Sequence, residues 1–387
     1  MRPGERLMRV VTVGNPSCVR IAAFQDALER AGQPTSVVIS YLDLIRERDA
    51  LDRTMREGDC LRIESPGQEF EVERQLIALG ANVDDEPGAS RIGRDGALRL
   101  LFDRGRIWFP RQWFLGFREL LRDVDRRRAA WPGHVAMNSP SEIEAMFDKP
   151  RCHGLLVKRG VSCPPSLGRV RSYDELRQRM QETRIFRVFV KLAHGSSASG
   201  VVALAIGRQG VVAFTTAEVV REAGEVRLYN SRSIRRIEDG REVALLVDTL
   251  AREGVQVERW IPKASVDGSV FDLRVVVIGG RARQVVVRKG PGPMTNLHLR
   301  NRRDDPSRLR ALMLESEWDA AMSEAERASS AFPSSLHVGV DLLIAPGYRH
   351  WAVLEVNAFG DLLHGVSDRG LSTHDAEIAE LLGGWAA

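Results

Sequence analysis

The sequence predicts an α/β (α+β) protein: a parallel, Rossmann-like βαβ start, then a longer half rich in antiparallel strands. Three observations carry this. Strands and helices alternate through the first 80 residues, which implies a parallel sheet with its ligand edge at the strand C-termini. From Ile185 onward short runs of β-branched residues take over. Two pairs of these runs fold back around glycine-containing turns, as hairpins do.

The elements follow in order. MRVVTVG is a short apolar strand. Asn15 is placed to cap a helix with Pro16 at its first position, and Ile21, Phe24, Leu28 and Ala31 recur at helical spacing until Gly32. SVVIS and CLRIES are the next strands, and a helix runs through Phe70, Val72 and Leu76 to Gly80. The Gly14-Asn15 turn lies at a strand C-terminus but lacks G-x-G-x-x-G, so it predicts no dinucleotide site and is at most a substrate-lining loop. Trp108, Trp113, Phe114, Phe117, Leu120 and Leu121 read as an amphipathic helix packed on a core. The character changes near Asn138-Ser139-Pro140. We place a boundary there, with an N-terminal domain over 1–135 and a second over 136–387, divided into 136–262 and 263–387. SEIEAMFDK, with Ser141 as cap, opens the second domain, a further helix runs towards Gly160, and the prolines of VSCPPS end it. FRVFVKL and VVALAIG are strands, Arg241 to Arg252 a helix and GVQVERWIP a strand. FDLRVVVIGGRARQVVVRK is a hairpin about Gly279-Gly280.

Composition narrows the function classes. Of 387 residues 43% are apolar, ample for real cores. The apolar runs are strand-length, so no membrane span is expected, and no secretory leader precedes MRVVTV. Four cysteines lie far apart without metal-ligand spacing, which fits free thiols in a reducing cytoplasm. The net charge is only +4, and clusters such as Arg126–Arg128 and Arg300–Arg303 are interleaved with Asp and carry no aromatics. They read as solvated faces, not a nucleic-acid site.

Lysine usage is the sharper signal. Of 56 Lys and Arg residues only five are Lys, at 149, 158, 191, 263 and 289. Lys is a compact charge on a flexible stem and Arg a planar fork, so a chain that defaults to Arg keeps Lys where the fork does not fit. Lys191 ends FRVFVK and precedes Gly195, Ser196, Ser197, Ala198, Ser199 and Gly200. Such a loop can aim N–H and hydroxyl donors at phosphate oxygens. It does not match P-loop spacing, and by itself it reads as a plain turn between strands.

The most informative segment is HVGVDLLIAPGYRHWAVLEVNAFGD. Centring a hairpin turn near Tyr348 places Asp341 opposite Glu355, and Glu355 and Asn357, two apart, share a face. Two carboxylates and an amide carbonyl converge within apolar strands. These are hard oxygen donors suited to Mg²⁺. Uncompensated like charges across a strand pair would destabilise it, which favours a metal over a merely exposed face.

In order along the chain, DK, the strand lysine with its Gly/Ser loop, VERWIP, and D…E-x-N resemble the ATP-grasp ligases. The branch resembled is that of the RimK-type glutamate ligases and glutathione synthetases, with D-alanine–D-alanine ligases as cousins. The resemblance covers about residues 136–360, and the preceding region is similar in layout only. It implies an ATP-grasp fold and an ATP-dependent carboxylate–amine ligase working through an acyl phosphate. It implies Lys149, Lys191, Gly195, Ser196, Ser197 and Gly200 on the triphosphate. Glu258 would accept from the adenine amine, and the backbone of Trp260 and Ile261 would read the ring. It implies Arg288, Arg274 and Asn296 as catalytic residues, with Asp272 beside them, and Asp341, Glu355 and Asn357 as ligands of two Mg²⁺ ions, sites that Mn²⁺ also suits. Two departures stand out. Ala198 replaces a common Gly, and Arg300-Asn301 replaces a Gly-Gly after TNLH, which leaves acceptor recognition open. Implied partners are ATP, a carboxylate substrate and an amine acceptor (amino acid, peptide or small metabolite), with a homodimer left open. A carboxylate–thiol ligase, a kinase on the same fold, and an ATP-binding protein without catalysis stay as alternatives at this point. Singly, Lys149, Glu258 and Arg288 each also fit an exposed surface role.

Overall fold

The computed structural model describes residues 7–385 apart from 68, 86–87, 197, 223, 300 and 362. Its described residues form three sheets. The first is parallel, in the order β2-β1-β3-β4, from β1 (Val10–Val13), β2 (Val37–Ile39), β3 (Cys60–Ile63) and β4 (Val135–Ala136). The helix Val19–Arg30 buries Ile21, Phe24 and Leu28. It starts at Val19, with Cys18 in the cap position, not at Asn15. The Asn15 amide donates instead to the carbonyls of Pro66 and Gly67, at 3.1 and 3.3 Å, and ties the ends of β1 and β3 together. The helices Phe70–Gly80 and Pro110–Arg128 pack tightly where Gly80 meets Gln112 and Gly116 meets Leu76. A Cβ on either glycine would overlap the main-chain oxygen of the other helix.

The second sheet is antiparallel, in the order β5-β10-β6-β7-β8-β9. Its strands are β5 (Ser166–Gly168), β6 (Arg187–Leu192), β7 (Val202–Gly207), β8 (Gly210–Glu222), β9 (Glu225–Ile237) and β10 (Val255–Arg259). The helices Tyr173–Thr183 and Gly240–Arg252 cover it, with Val243, Leu246, Val247 and Leu250 buried at helical spacing.

The third sheet comprises β11 (Ser265–Val266), β12 (Ser269–Ile278), β13 (Arg281–Gly290), β14 (Arg302–Asp304), β15 (His337–Ile344) and β16 (Trp351–Asn357). Its order is β14-β13-β12-β15-β16, with β11 on β12. Every residue of β15 is buried, as expected of a central strand. The helix Glu315–Ser329 packs behind it.

The first and third sheets share one core. Asn138 donates to the carbonyls of His337 and Ala358, at 2.9 and 2.5 Å. Ser139, not Ser141, holds the cap position of the next helix, because Pro140 takes its first place. Arg62 of β3 is fully buried between Glu64 and Glu377 of the helix Thr373–Leu382, at 2.5 and 2.7 Å. All four cysteines are free, and burial pushes the thiols of Cys60, Cys152 and Cys163 up to about 12. At that value they are poor nucleophiles at neutral pH. Among the described residues no helix is long and apolar enough to cross a membrane.

Candidate active site

A cleft of about 370 Å³ opens between the second and third sheets, and Arg20 and Ser65 from the ligand edge of the first sheet reach into it. Its floor is set by strand register. β15 and β16 pair Asp341 with Glu355 and Gly339 with Asn357, so the three oxygen-bearing side chains fall together. β12 and β13 pair Asp272 with Arg288, and β12 and β15 pair Arg274 with Asp341.

These registers build a line of alternating charge. Lys263 Nζ donates to Asp272 Oδ2 at 2.8 Å and to Thr295 Oγ1 at 2.7 Å, and the Thr295 hydroxyl donates to the same carboxylate. Arg288 Nε donates to Asp272 Oδ1 at 2.7 Å, and its Nη2 lies 3.0 Å from Asp341 Oδ2. Arg274 Nε donates to Asp341 Oδ1 at 2.5 Å and its Nη1 to Asp361 Oδ2 at 3.2 Å. Burial would raise the carboxyl pKa of Asp272 and Asp341. The neighbouring cations outweigh it, and both sit below the usual carboxylate range. Burial lowers the Lys263 amine, and Asp272 offsets that only in part.

The two lysines on the opposite wall are also paired. Lys149 opens the helix Lys149–Lys158, whose N-cap Asp148 accepts from Arg151 N. Its Nζ lies 2.8 Å from Glu355 Oε1 and donates to Gly195 O at 2.6 Å. Lys191 Nζ lies 2.6 Å from Glu258 Oε2. Burial pulls the Lys191 pKa down, and Glu258 more than reverses it.

Gly195, Ser196, Ala198 and Ser199 line the cleft, while Ser197 lies outside the described residues. Gly200 is buried in the left-handed region (φ +65°), and a Cβ there would meet Leu192 Cδ1 at 2.6 Å. It shapes the loop from beneath. Ala198 holds φ 58°, a conformation that glycine adopts without cost. His194, at the loop's root, stacks on Phe114 with ring centroids 4.0 Å apart.

At the hinge, Glu258 and Ile261 line the cleft together with Arg259. The side chain of Trp260 is not among the cleft-lining residues. The residue's main-chain N–H donates to Arg187 O at 2.9 Å, and its ring packs on Phe189 and under the Arg187 guanidinium, so it is engaged with β6. Glu258, the residue expected to accept from an adenine amine, holds Lys191 through one carboxylate oxygen, Oε2. Asn296 lines the cleft. Sequence reasoning missed Lys263, Thr295, Arg20, Ser65 and Asp361. For Lys263 the scarcity of lysine was the available signal.

Two carboxylates and an amide fit Mg²⁺ in an open site, completed by substrate oxygens. Asn357 Nδ2 donates to Gly339 O at 3.3 Å, which leaves its side-chain oxygen available to a cation. Among the described residues no group of three or more His, Cys, Asp or Glu forms a self-sufficient metal cage.

No family model matches the sequence, and no curated protein matches it. Solved structures do. The D-cycloserine synthetase DcsG aligns with a TM-score of 0.55 at 13% identity, over 97% of this chain and 99% of that one. D-alanine–D-alanine ligase from Bacillus anthracis, complexed with ATP, aligns at 0.51 and 11%, over 97% and 96%. The ATP-grasp ligase PsnB, solved with a phosphomimetic variant of its minimal precursor, Mg and ADP, aligns at 0.51 and 16%, over 96% and 97%. The chain has the ATP-grasp fold. The ATP-grasp likeness therefore spans the parallel sheet as well as the two antiparallel ones.

Proposed function

We propose that the protein is an ATP-dependent carboxylate–amine ligase whose motif residues resemble those of the RimK and glutathione synthetase branch. One observation carries this reading. Lys149, Lys191, Arg274 and Arg288, from four different elements, converge on the Asp341–Glu355 register pair in one cleft.

The chemistry requires activation, because a carboxylate is a poor electrophile towards an amine. A carboxylate oxygen of the substrate attacks the γ-phosphorus of ATP, ADP leaves, and an acyl phosphate forms. The amine then attacks the carbonyl carbon, inorganic phosphate departs, and the amine's surplus proton is lost to give the amide. Lys149 and Lys191 hold the α- and β-phosphate oxygens as point charges. Arg288 and Arg274 neutralise the transferring phosphoryl group and the oxyanion of the second step, preorganised by Asp272 and Asp341. Asn296 donates at the acceptor side. Glu258 and Ile261 hold the adenine edge, and the Gly195–Gly200 loop excludes water from the hydrolysable intermediate. Asp341, Glu355 and Asn357 would hold Mg²⁺, which supplies charge neutralisation across the phosphates.

The acceptor is an amino acid, a peptide or a small metabolite. The macrocyclase MdnC, solved with its precursor peptide MdnA, aligns with a TM-score of 0.51 at 12% identity over 97% of this chain and 99% of that one, which supports including peptides. The test is Mg-ATP with pooled carboxylates and amines. ADP release that needs both pools, with a product mass equal to their condensation, is the expected result. ATP bound without any turnover across broad pools would point to a nucleotide-binding protein instead.

A further inference from the structure

The residues after TNLH depart from the pattern that the ATP-grasp resemblance implies, and their contacts in the structure bear on what they do. Residues 291–299 leave β13, cross the cleft and present Met294, Asn296 and Leu297 to it. The segment has no strand partner of its own, so something else must fix it. From beneath, Thr295 is fully buried against Asp272 and Lys263. From behind, Asn301 Nδ2 donates to Met294 O at 2.8 Å and to Asn296 O at 3.0 Å. Asn301 is seated on Gly290. The three atoms nearest to a Cβ built at 290 all belong to the Asn301 amide, and they lie inside contact distance. Gly290 itself has no left-handed φ that demands glycine.

The segment so held closes one side of the nucleotide end. Met294 and Leu299 pack with Ala198 and Val201 of the Gly/Ser loop region and with Phe189 and Trp260 at the hinge. We propose that Asn301 is a positioning residue, whose amide fixes the 291–299 segment as a preformed wall across the two subdomains and so sets nucleotide affinity and the placement of Asn296. This rests on the ATP-ligase reading of the cleft. A wall that is already ordered need not be ordered on binding, which is where the affinity comes from.

The pair Asn301 and Gly290 gives a test that a general loss of stability does not mimic. Asn301→Ala removes both donors. Gly290→Ala leaves the amide intact but pushes it off its seat. The double variant has room for the new methyl group, because the amide that blocked it is gone. Each protein is titrated with Mg²⁺ plus a non-hydrolysable ATP analogue, and amide hydrogen exchange over 291–301 is followed without nucleotide. Each single variant is expected to bind about tenfold more weakly, the worth of one to two net hydrogen bonds. Each should also speed exchange in that segment, with the melting midpoint of the rest unchanged. The double variant should be no worse than Asn301→Ala alone. Single effects that add in the double variant, or unchanged exchange in Asn301→Ala, would overturn the assignment. If the parent protein binds no nucleotide, the ligase reading fails, while the exchange pattern still decides the role of Asn301.

Discussion

Lys149 Nζ lies 2.8 Å from Glu355 Oε1, so the cation proposed to hold phosphate is paired with a carboxylate proposed to hold metal. Asp341 is matched in the same way by Arg274 and Arg288. Drawing Lys149 to a phosphate leaves the half-buried Glu355 without its cation unless another replaces it, and the carboxylate then faces the phosphate charge across the cleft. ADP should therefore bind far better with Mg²⁺ than without. Lys149→Met should weaken Mg-ADP binding by about 1.5–3 kcal/mol, the worth of a charge-assisted hydrogen bond. In Glu355→Gln the advantage of Mg²⁺ should shrink. Calorimetric titrations with and without Mg²⁺ check both.

Lys191 and Glu258 make a closer pair, 2.6 Å apart with both side chains largely enclosed. A guanidinium is a broad planar fork, unlike the compact charge that Lys places against Glu258. Lys191→Arg should fold but lose most nucleotide affinity and turnover. Lys191→Met should cost about 3–5 kcal/mol of stability by stranding a buried carboxylate. Adding Glu258→Gln should recover much of that stability without restoring activity. Chemical denaturation of the three variants measures the coupling.

Ala198 occupies the left-handed region (φ 58°), where a Cβ costs about 1–2 kcal/mol. Glycine pays extra chain entropy, so Ala198→Gly should stabilise the protein by at most ~1 kcal/mol in thermal unfolding. Ala198→Val should be worse than the parent in both stability and nucleotide binding, because a β-branched residue tolerates that backbone least. Equal stability of all three would show that the loop adopts another conformation in solution.

Glu253 caps the end of the helix Gly240–Arg252, and burial raises its carboxyl from 4.5 to about 7, with Arg111 nearby offsetting only part. A raised carboxyl favours the fold while protonated, so its contribution is whole below about pH 4.5 and is lost as pH rises through about 7. Glu253→Gln should flatten the fall in melting temperature between these values. At pH 8 it should gain stability on the order of 3 kcal/mol. A slope unchanged by the substitution would show that Glu253 is not the group responsible.

What the sequence made legible follows from which interactions are local. The Asp341–Glu355 pairing came from counting across one hairpin, and the register agrees. The helix Phe70–Gly80 came from spacing alone. The start of the first helix did not, because Asn15 is drawn off by Pro66 and Gly67, some 50 residues away. Strands β8 and β9 run 13 residues each, with charged residues where they meet, in the second half of β8 and at the start of β9, and more charge towards the end of β9, a pattern that periodicity does not separate from loop. Lys263 was visible as one of five lysines. Its place beside Asp272 and Thr295 depended on two loops meeting over a sheet, which no local pattern encodes.

The most direct test of the ligase reading is hydroxylamine trapping. The protein is incubated with Mg-ATP, pooled carboxylates and hydroxylamine, and the nucleotide and hydroxamate products are quantified together. The account predicts an acyl hydroxamate formed in equal amount with ADP, and neither product from Glu355→Ala. ADP release without hydroxamate, AMP in place of ADP, or full activity in Glu355→Ala would contradict it.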